Sequence, residues 1–441
     1  MPNPYLPLWE YIPNVEPRVF GDRVYIYGSH DNAGSDKFCD SKLKVWSAPS
    51  DDLNNWTCHG DIFHTKDDRD HKSDTSWTNC DLYAPDVVEK DGRYYLYAYI
   101  LGAKGCVASS DTPEGPFKLL SRYKYNENEG NDGFKSGLFI DPGVLVDDDG
   151  RVYIYCGYER SFAAEIDPDN MYEIINGSFK EDIIPQSEPF SYFEACSPRK
   201  IGNTYYIIYS PRNGSRLAYA TSDSPLGPFV YRGVIVDNGI DYPAGNNHGS
   251  ICCINGQWYV FYQRMTNGTL TSRRACAERI EILPDGSIPQ AEMTSLGFEK
   301  ALSPYKITPA DIACVLKGGC IITEHSVFSR PVTAITDGCI IGYKYFDFGS
   351  DNSSKTMEFS AKVRGCGCRA IMTVMIDGTD NGIVLGECEI GASDGIYNAI
   401  LKSVNGVHSV YFRITDTFGG WFRDMAKNRH LFELEEFVFM K

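Results

Sequence analysis

One short pattern recurs five times between residues 21 and 262: a turn of Gly, Asp or Asn, then alternating aromatic and aliphatic residues. The copies are Gly21-Asp22-Arg23-Val24-Tyr25-Ile26-Tyr27, Asp91-Gly92-Arg93-Tyr94-Tyr95-Leu96-Tyr97, Asp149-Gly150-Arg151-Val152-Tyr153-Ile154-Tyr155, Gly202-Asn203-Thr204-Tyr205-Tyr206-Ile207-Ile208-Tyr209 and Asn255-Gly256-Gln257-Trp258-Tyr259-Val260-Phe261-Tyr262. Each reads as a hairpin turn entering a strand. Counted from Tyr25 through Tyr95, Tyr153, Tyr206 and Tyr259, the spacings are 70, 58, 53 and 53 residues, room for a four-stranded sheet and its loops. That period predicts an all-β fold built on a five-bladed β-propeller over residues 1–305. A second echo keeps the same phase: Ala108-Ser109-Ser110-Asp111-Thr112-Pro113 is matched by Ala220-Thr221-Ser222-Asp223-Ser224-Pro225.

Beyond Pro304 the repeat stops. Met357–Val363, Ala370–Ile376 and Val410–Ile414 alternate as sandwich strands do, so residues 306–441 are expected to form a second all-β domain, a β-sandwich of jelly-roll type. The joint, Ser303-Pro304-Tyr305-Lys306-Ile307-Thr308-Pro309, has no long flexible tract.

Charge narrows the partners. With 59 acidic against 42 basic side chains, the formal balance of −17 argues against nucleic acid or an anionic membrane and favours a neutral or cationic ligand. The first residues lack a basic start followed by an apolar stretch, and the chain contains no run of about eighteen apolar residues, so a soluble, cytoplasmic protein is expected. Fifteen cysteines is an odd number without repeated Cys-x-x-Cys spacing, which predicts buried thiols rather than a disulfide framework. Cys252-Cys253 and Cys366-Gly367-Cys368 are read as small core residues, with soft-metal binding the alternative.

The innermost strand of each propeller blade lines the central channel, so polar residues just upstream of the repeated turns should converge. Those segments open with Glu16, Asp86, Asp141, Glu194 and His248, at offsets of 9, 9, 12, 12 and 11 residues from the repeat tyrosines. The expectation is one ring of ionisable groups at equal depth. Burying such groups is costly, so their shared phase points to use. A carboxylate ring with aromatic surroundings in an acidic protein suits hydrolysis of an uncharged polar substrate, and an oligosaccharide fits best. Glycoside hydrolysis needs one carboxyl as proton donor and another as base or nucleophile on the opposite face. A third carboxylate near the acid helps keep it protonated.

In combination, Asn3-Pro4-Tyr5-Leu6-Pro7, Glu16-Pro17, Ala84-Pro85-Asp86, Ile140-Asp141-Pro142, Tyr192-Phe193-Glu194-Ala195 and Asn247-His248-Gly249-Ser250 resemble glycoside hydrolase family 43 over about residues 2–300. The resemblance implies an inverting enzyme with Glu194 as general acid, Asp141 tuning its pKa and orienting substrate, and Glu16 at the general-base position. The base is ordinarily Asp there; Glu16 is longer by one methylene, and Asp31 and Asp86 are the fallback candidates. His248 resembles a channel histidine that helps hold calcium, the alternative being a core histidine bonded to a backbone carbonyl. Arg273 matches a fifth-blade arginine near substrate, with its neighbour Arg274 as the other candidate. Asp86, Trp77 and Phe193 complete the expected substrate contacts, Trp77 serving either the pocket rim or packing.

The carboxy-terminal domain more faintly resembles family 6 type carbohydrate-binding modules, through Val410-Tyr411-Phe412-Arg413-Ile414 and Leu434-Glu435-Glu436-Phe437-Val438-Phe439. There Trp421 and Phe422 are expected to be structural rather than sugar-stacking. The function expected is release of terminal α-L-arabinofuranosyl or β-D-xylosyl units from short oligosaccharides. The alternatives are a non-catalytic or weakly active sugar-binding propeller and an endo-acting arabinanase.

Overall fold

The computed structural model describes residues 1–102, 104–125, 138–212, 214–350, 354–419, 426 and 428–441. Five antiparallel sheets follow one another along the first 280 residues, four of them four-stranded and the fifth three-stranded. Their innermost strands are Glu16–Phe20, Leu82–Lys90, Gly143–Val146, Tyr192–Ile201 and Ser250–Ile254. The first four of these strands pack in sequence, and the fifth meets both the fourth sheet and the first strand, so the sheets close into a five-bladed ring.

The repeated turns behave as their composition requires. Gly21, Gly92, Gly150, Gly202 and Gly256 all take positive φ, between +59° and +84°, at the hairpin that leaves each inner strand. An L side chain there would strain the backbone although nothing crowds the space. Between blades, the alternating Tyr, Val and Ile faces meet in separate apolar clusters, such as Tyr25, Tyr27 and Val45 against Val87 and Leu96.

The ring is clasped by its own amino-terminal segment. The Asn3 N–H donates to Ser295 O at 3.0 Å and the Tyr5 N–H to Ala275 O at 3.3 Å. The Asn3 side chain donates to Ala277 O at 2.8 Å and accepts from the Ala277 N–H at 2.9 Å. Tyr5 is fully buried among Trp56, Phe261 and Phe298. The start of the chain thus serves the fifth blade as an extra edge.

Residues 308–440 form two further sheets, one of six strands and one of five, whose facing sides bury Tyr343, Phe359, Phe412 and Phe437. This sandwich is welded to the propeller: one apolar cluster runs from Ile235, Val260 and Ile288 into Ile312, Leu316 and Phe346. The buried pair Arg274–Asp311 and the Leu316 N–H to Asp241 O bond of 2.8 Å cross the same seam. Among the described residues, no helix is long and apolar enough to cross a membrane. All fifteen cysteines are thiols; Cys252 and Cys368 are buried, Cys253 is half-buried and Cys366 is exposed.

Candidate active site

Strand register sorts the channel residues into tiers. Glu16 lies opposite Tyr27, Asp86 opposite Tyr97, Gly143 opposite Tyr155, Ser197 opposite Ile208 and Ser250 opposite Phe261. These five are therefore structural equivalents. Asp141 and His248 come two residues earlier, one step nearer the channel mouth. Glu194 and Tyr83 stand at that same upper level, because each pairs across its hairpin with a register shift before the next paired residue. The first blade's member of the upper tier is Asn14. The expectation of one ring at equal depth is thus corrected: Glu16 and Asp86 sit a tier below Asp141, Glu194 and His248.

The lower tier is neutralised. Arg18 donates to both Asp86 oxygens, at 3.0 and 2.6 Å, and to Val144 O at 3.0 Å. Arg199 pairs with Glu16 and donates to Ile251 O at 2.8 Å. Ser197 and Ser250 share a hydroxyl contact of 2.6 Å. Two carboxylates and two guanidinium groups thereby tie all five blades together and plug the channel. Glu16 is corrected as base and Asp86 as substrate contact, since neither lines the cavity above and each already has a cation at hydrogen-bond distance.

That cavity, of about 870 Å³, is bounded by Asn14, Tyr83, Asp141, Phe193, Glu194 and Arg273, with further wall from Phe38, Tyr158 and Asn246. The chain kinks where it delivers these groups. Asn14 and Asp141 adopt positive φ of 56° and 48°, and Ala195, next to Glu194, one of 61°. Such backbone turns the side chains off the regular pleat and into the channel. Glu194 accepts from Asn246 Nδ2 at 2.7 Å. It keeps contact with the cavity, yet burial lifts its carboxyl above the usual range, against the pull of Asn246 and Arg273. Asp141 is raised further, first by burial and then by the like charge of Glu194. The pair therefore holds a proton at pH values where a free carboxyl has lost its own. Burial pushes His248 down to about 4, which leaves a neutral imidazole 3.8 Å from Asp141.

Neighbouring residues on a strand face opposite sides, and this separates the two arginines. Arg273 reaches the cavity, whereas Arg274 turns away to Asp311. Arg273 grips Asp31 through Nε and Nη2, both at 2.8 Å, and donates Nη1 to Asn14 Oδ1 at 3.0 Å. The backbone N–H groups of Cys39 and Arg273 also donate to Asp31. Asp31 is thus saturated and 1% exposed, which corrects it as a fallback base. Trp77 is corrected as well: it lines a separate depression with Thr65, Ser73 and Asn79, under the guanidinium of Arg122. Phe193 is in the cavity wall as expected, edge-on to Tyr158 at 5.0 Å and beneath Arg212. Trp421 and Phe422 lie outside the described residues.

Asn14, Tyr83, Tyr158 and Asn246 were not singled out from sequence. Asn14 had a usable signal: it precedes Glu16 by two residues, as Asp141 precedes Gly143. For calcium, the protein groups at the axis are His248 and Asp141, while the carboxylates beneath are taken by Arg18 and Arg199. Calcium takes six to eight ligands, mostly oxygens and often waters; of the protein groups at the axis, Asp141 and His248 are the ones that would hold it, with water completing the shell. Asp61, His64, Asp68 and His71 bring four ligating atoms within 4.8 Å of one another at the edge of the first blade, but Lys42 Nζ already lies 3.3 Å from Asp61.

A buried carboxyl shifted toward its protonated form, with a second carboxyl beside it in an aromatic-walled cavity, is the equipment of an acid-assisted glycosidase, and the chain is one. It belongs to the glycosyl hydrolases family 43, whose family model matches residues 11–288. The chain is 39% identical to a xylosidase/arabinosidase of Thermoclostridium stercorarium, across 93% of this chain and 95% of that protein. A β-xylosidase/α-arabinofuranosidase from a compost microbial metagenome, solved with xylotriose in a calcium-free form, is 29% identical and covers 66% of this chain and 98% of its own, with a TM-score of 0.52. An arabinoxylan arabinofuranohydrolase of Bacillus subtilis, solved with cellotetraose, spans 100% of this chain and 97% of its own at 23% identity and a TM-score of 0.55, a likeness of fold.

Proposed function

We propose that the protein is an exo-acting, inverting glycosidase that removes terminal α-L-arabinofuranosyl or β-D-xylosyl units from short oligosaccharides. The observation that carries this is the placing of Glu194 beside Asp141 in the wall of one cavity, above the Arg18–Asp86 and Arg199–Glu16 pairs, where burial favours the protonated form of the carboxyl. A blind end suits a chain terminus rather than a threaded polymer, and a volume of about 870 Å³ falls in the usual range of small-ligand sites. Tyr158 and Phe193 offer apolar ring faces to a sugar, while Arg273 and Asn246 offer donors to its hydroxyls. Glu194 protonates the leaving oxygen as the glycosidic bond breaks, and Asp141 beside it resists joint ionisation. The names of the relatives, xylosidase/arabinosidase among them, support the choice of sugar. We read the carboxy-terminal sandwich as a buttress for blades four and five, on the strength of the shared apolar cluster and the Arg274–Asp311 pair.

The test is a panel of aryl α-L-arabinofuranoside, aryl β-D-xyloside and xylo- and arabino-oligosaccharides, with the first-formed anomer followed by NMR. Release of single sugars with inverted configuration is expected. Internal cleavage products would instead support the endo-acting alternative, and sugar binding by calorimetry with no turnover the binding one.

A further inference from the structure

An inverting glycosidase must remove a proton from its attacking water on the face of the sugar opposite the acid. In a ring of five blades, the positions across from the third and fourth belong to the first, so the group facing Asp141 and Glu194 comes from blade one. Its upper-tier residue is Asn14. We infer that Asn14 occupies the station of the water-activating base, so that in this chain an amide orients the attacking water and no carboxylate receives its proton. The inference rests on the glycosidase reading above.

The other candidate acceptors among the described residues are accounted for. Among the described residues, Asp141 and Glu194 are the only carboxyls lining the cavity, and they occupy neighbouring blades on the acid's side. Asp31 has both oxygens engaged by Arg273 and by backbone N–H groups. Glu16 and Asp86 are paired a tier below. His248 is not among the cavity's lining residues, is 7% exposed and lies 3.8 Å from Asp141.

The surroundings of Asn14 nevertheless suit a carboxylate. Its Oδ1 accepts from Arg273 Nη1 at 3.0 Å, and its Nδ2 lies 3.0 Å from Ser29 Oγ and 3.7 Å from Cys39 Sγ. A hydroxyl and a thiol can each rotate to donate, so an Asp at this position would meet three donors, one of them a guanidinium. The backbone N–H is held by Gln263 Oε1 at 2.9 Å, and the φ of 56° is one that Asn and Asp both tolerate. Asn and Asp are nearly isosteric, so the exchange changes charge and little else.

The chemistry follows from the charge. As the water oxygen bonds to the anomeric carbon and the glycosidic bond breaks, the Glu194 proton goes to the leaving oxygen. The water's proton passes to solvent, and the Glu194 carboxylate is reprotonated from solvent, so the cycle closes with no net proton. What is missing is proton removal during the attack itself, which a placed base accelerates by about 10²–10⁴-fold.

The experiment compares wild type with Asn14→Asp on aryl α-L-arabinofuranoside, aryl β-D-xyloside and aryl β-D-galactofuranoside, with and without sodium azide. Azide needs no deprotonation, so it should accelerate the wild type and yield a glycosyl azide of inverted configuration. Asn14→Asp should hydrolyse at least tenfold faster than wild type and gain nothing from azide. Two results would each overturn the inference: an Asn14→Asp protein with unchanged thermal midpoint and oligosaccharide affinity that turns over no faster, or a wild type indifferent to azide. Activity confined to the galactofuranoside would correct the sugar proposed above while leaving the Asn14 comparison intact.

Discussion

The two tiers of the channel carry the same kinds of side chain, the lower acids from blades one and two and the upper from blades three and four, and do opposite work. In the lower tier, Asp86 and Glu16 each face a guanidinium, and the pairs bind blades to one another. In the upper tier, Asp141 and Glu194 face each other, with Arg273 committed to Asp31 and Asn14, and their carboxyls are pushed up toward the neutral form. A buried carboxylate supplied with a cation is a fastener. The same group denied one becomes an acid. The difference of a single step along a strand, two residues, separates architecture from chemistry.

The sharpest way to break this contrast is Glu194→Gln, which keeps the acceptor for Asn246 and removes the proton donor. Turnover of oligosaccharides with poor leaving groups should fall by about 10²–10⁴-fold, measured as single-sugar release. Next in size is Arg18→Ala. Leaving Asp86 buried without its cation should cost about 3–5 kcal/mol of folding stability, read from the denaturant midpoint. Glu16→Gln should destabilise by a smaller amount, about 1–3 kcal/mol, while turnover per folded molecule stays at the wild-type level. A large loss of turnover with full stability would return Glu16 to the role the sequence suggested.

The smallest effect is on pH. Because burial raises both upper carboxyls, the folded protein binds protons that the unfolded chain has released. That contribution to stability is therefore complete below the unfolded carboxyl range and declines as pH rises through the folded values. Asp141→Asn should flatten the decline, leaving the variant more stable than wild type at pH 8 and little changed at pH 4 by thermal unfolding. Neutralising an upper-tier acid should thus help folding, where stripping a lower-tier partner harms it.

The ring of blades was legible because its signal is local: a turn and four or five alternating residues, repeated. Glu194, Asp141, Phe193 and Arg273 were legible from their motifs, and all four meet in one cavity. The tiers were not. The hairpin after Asp141 is one residue longer than the one after Glu16, and the strand carrying Glu194 shifts register, so counting back from the tyrosines blurs two levels into one. Nor does sequence reveal that Arg18 reaches across to Asp86 or Arg199 to Glu16, contacts spanning 68 and 183 positions. Acid followed by proline drew attention to Glu16, and the quieter Asn14 two residues before it was passed over.

The clasp formed by Asn3 and Tyr5 has a cost and a return. Asn3 closes on Ala277 across 274 positions of chain, a loop whose ends are expensive to bring together. The return is that blades one and five, which flank the cavity through Asn14 and Arg273, are tied by the same segment. Loosening that segment would therefore be felt at the sugar site, although neither Asn3 nor Tyr5 lines it.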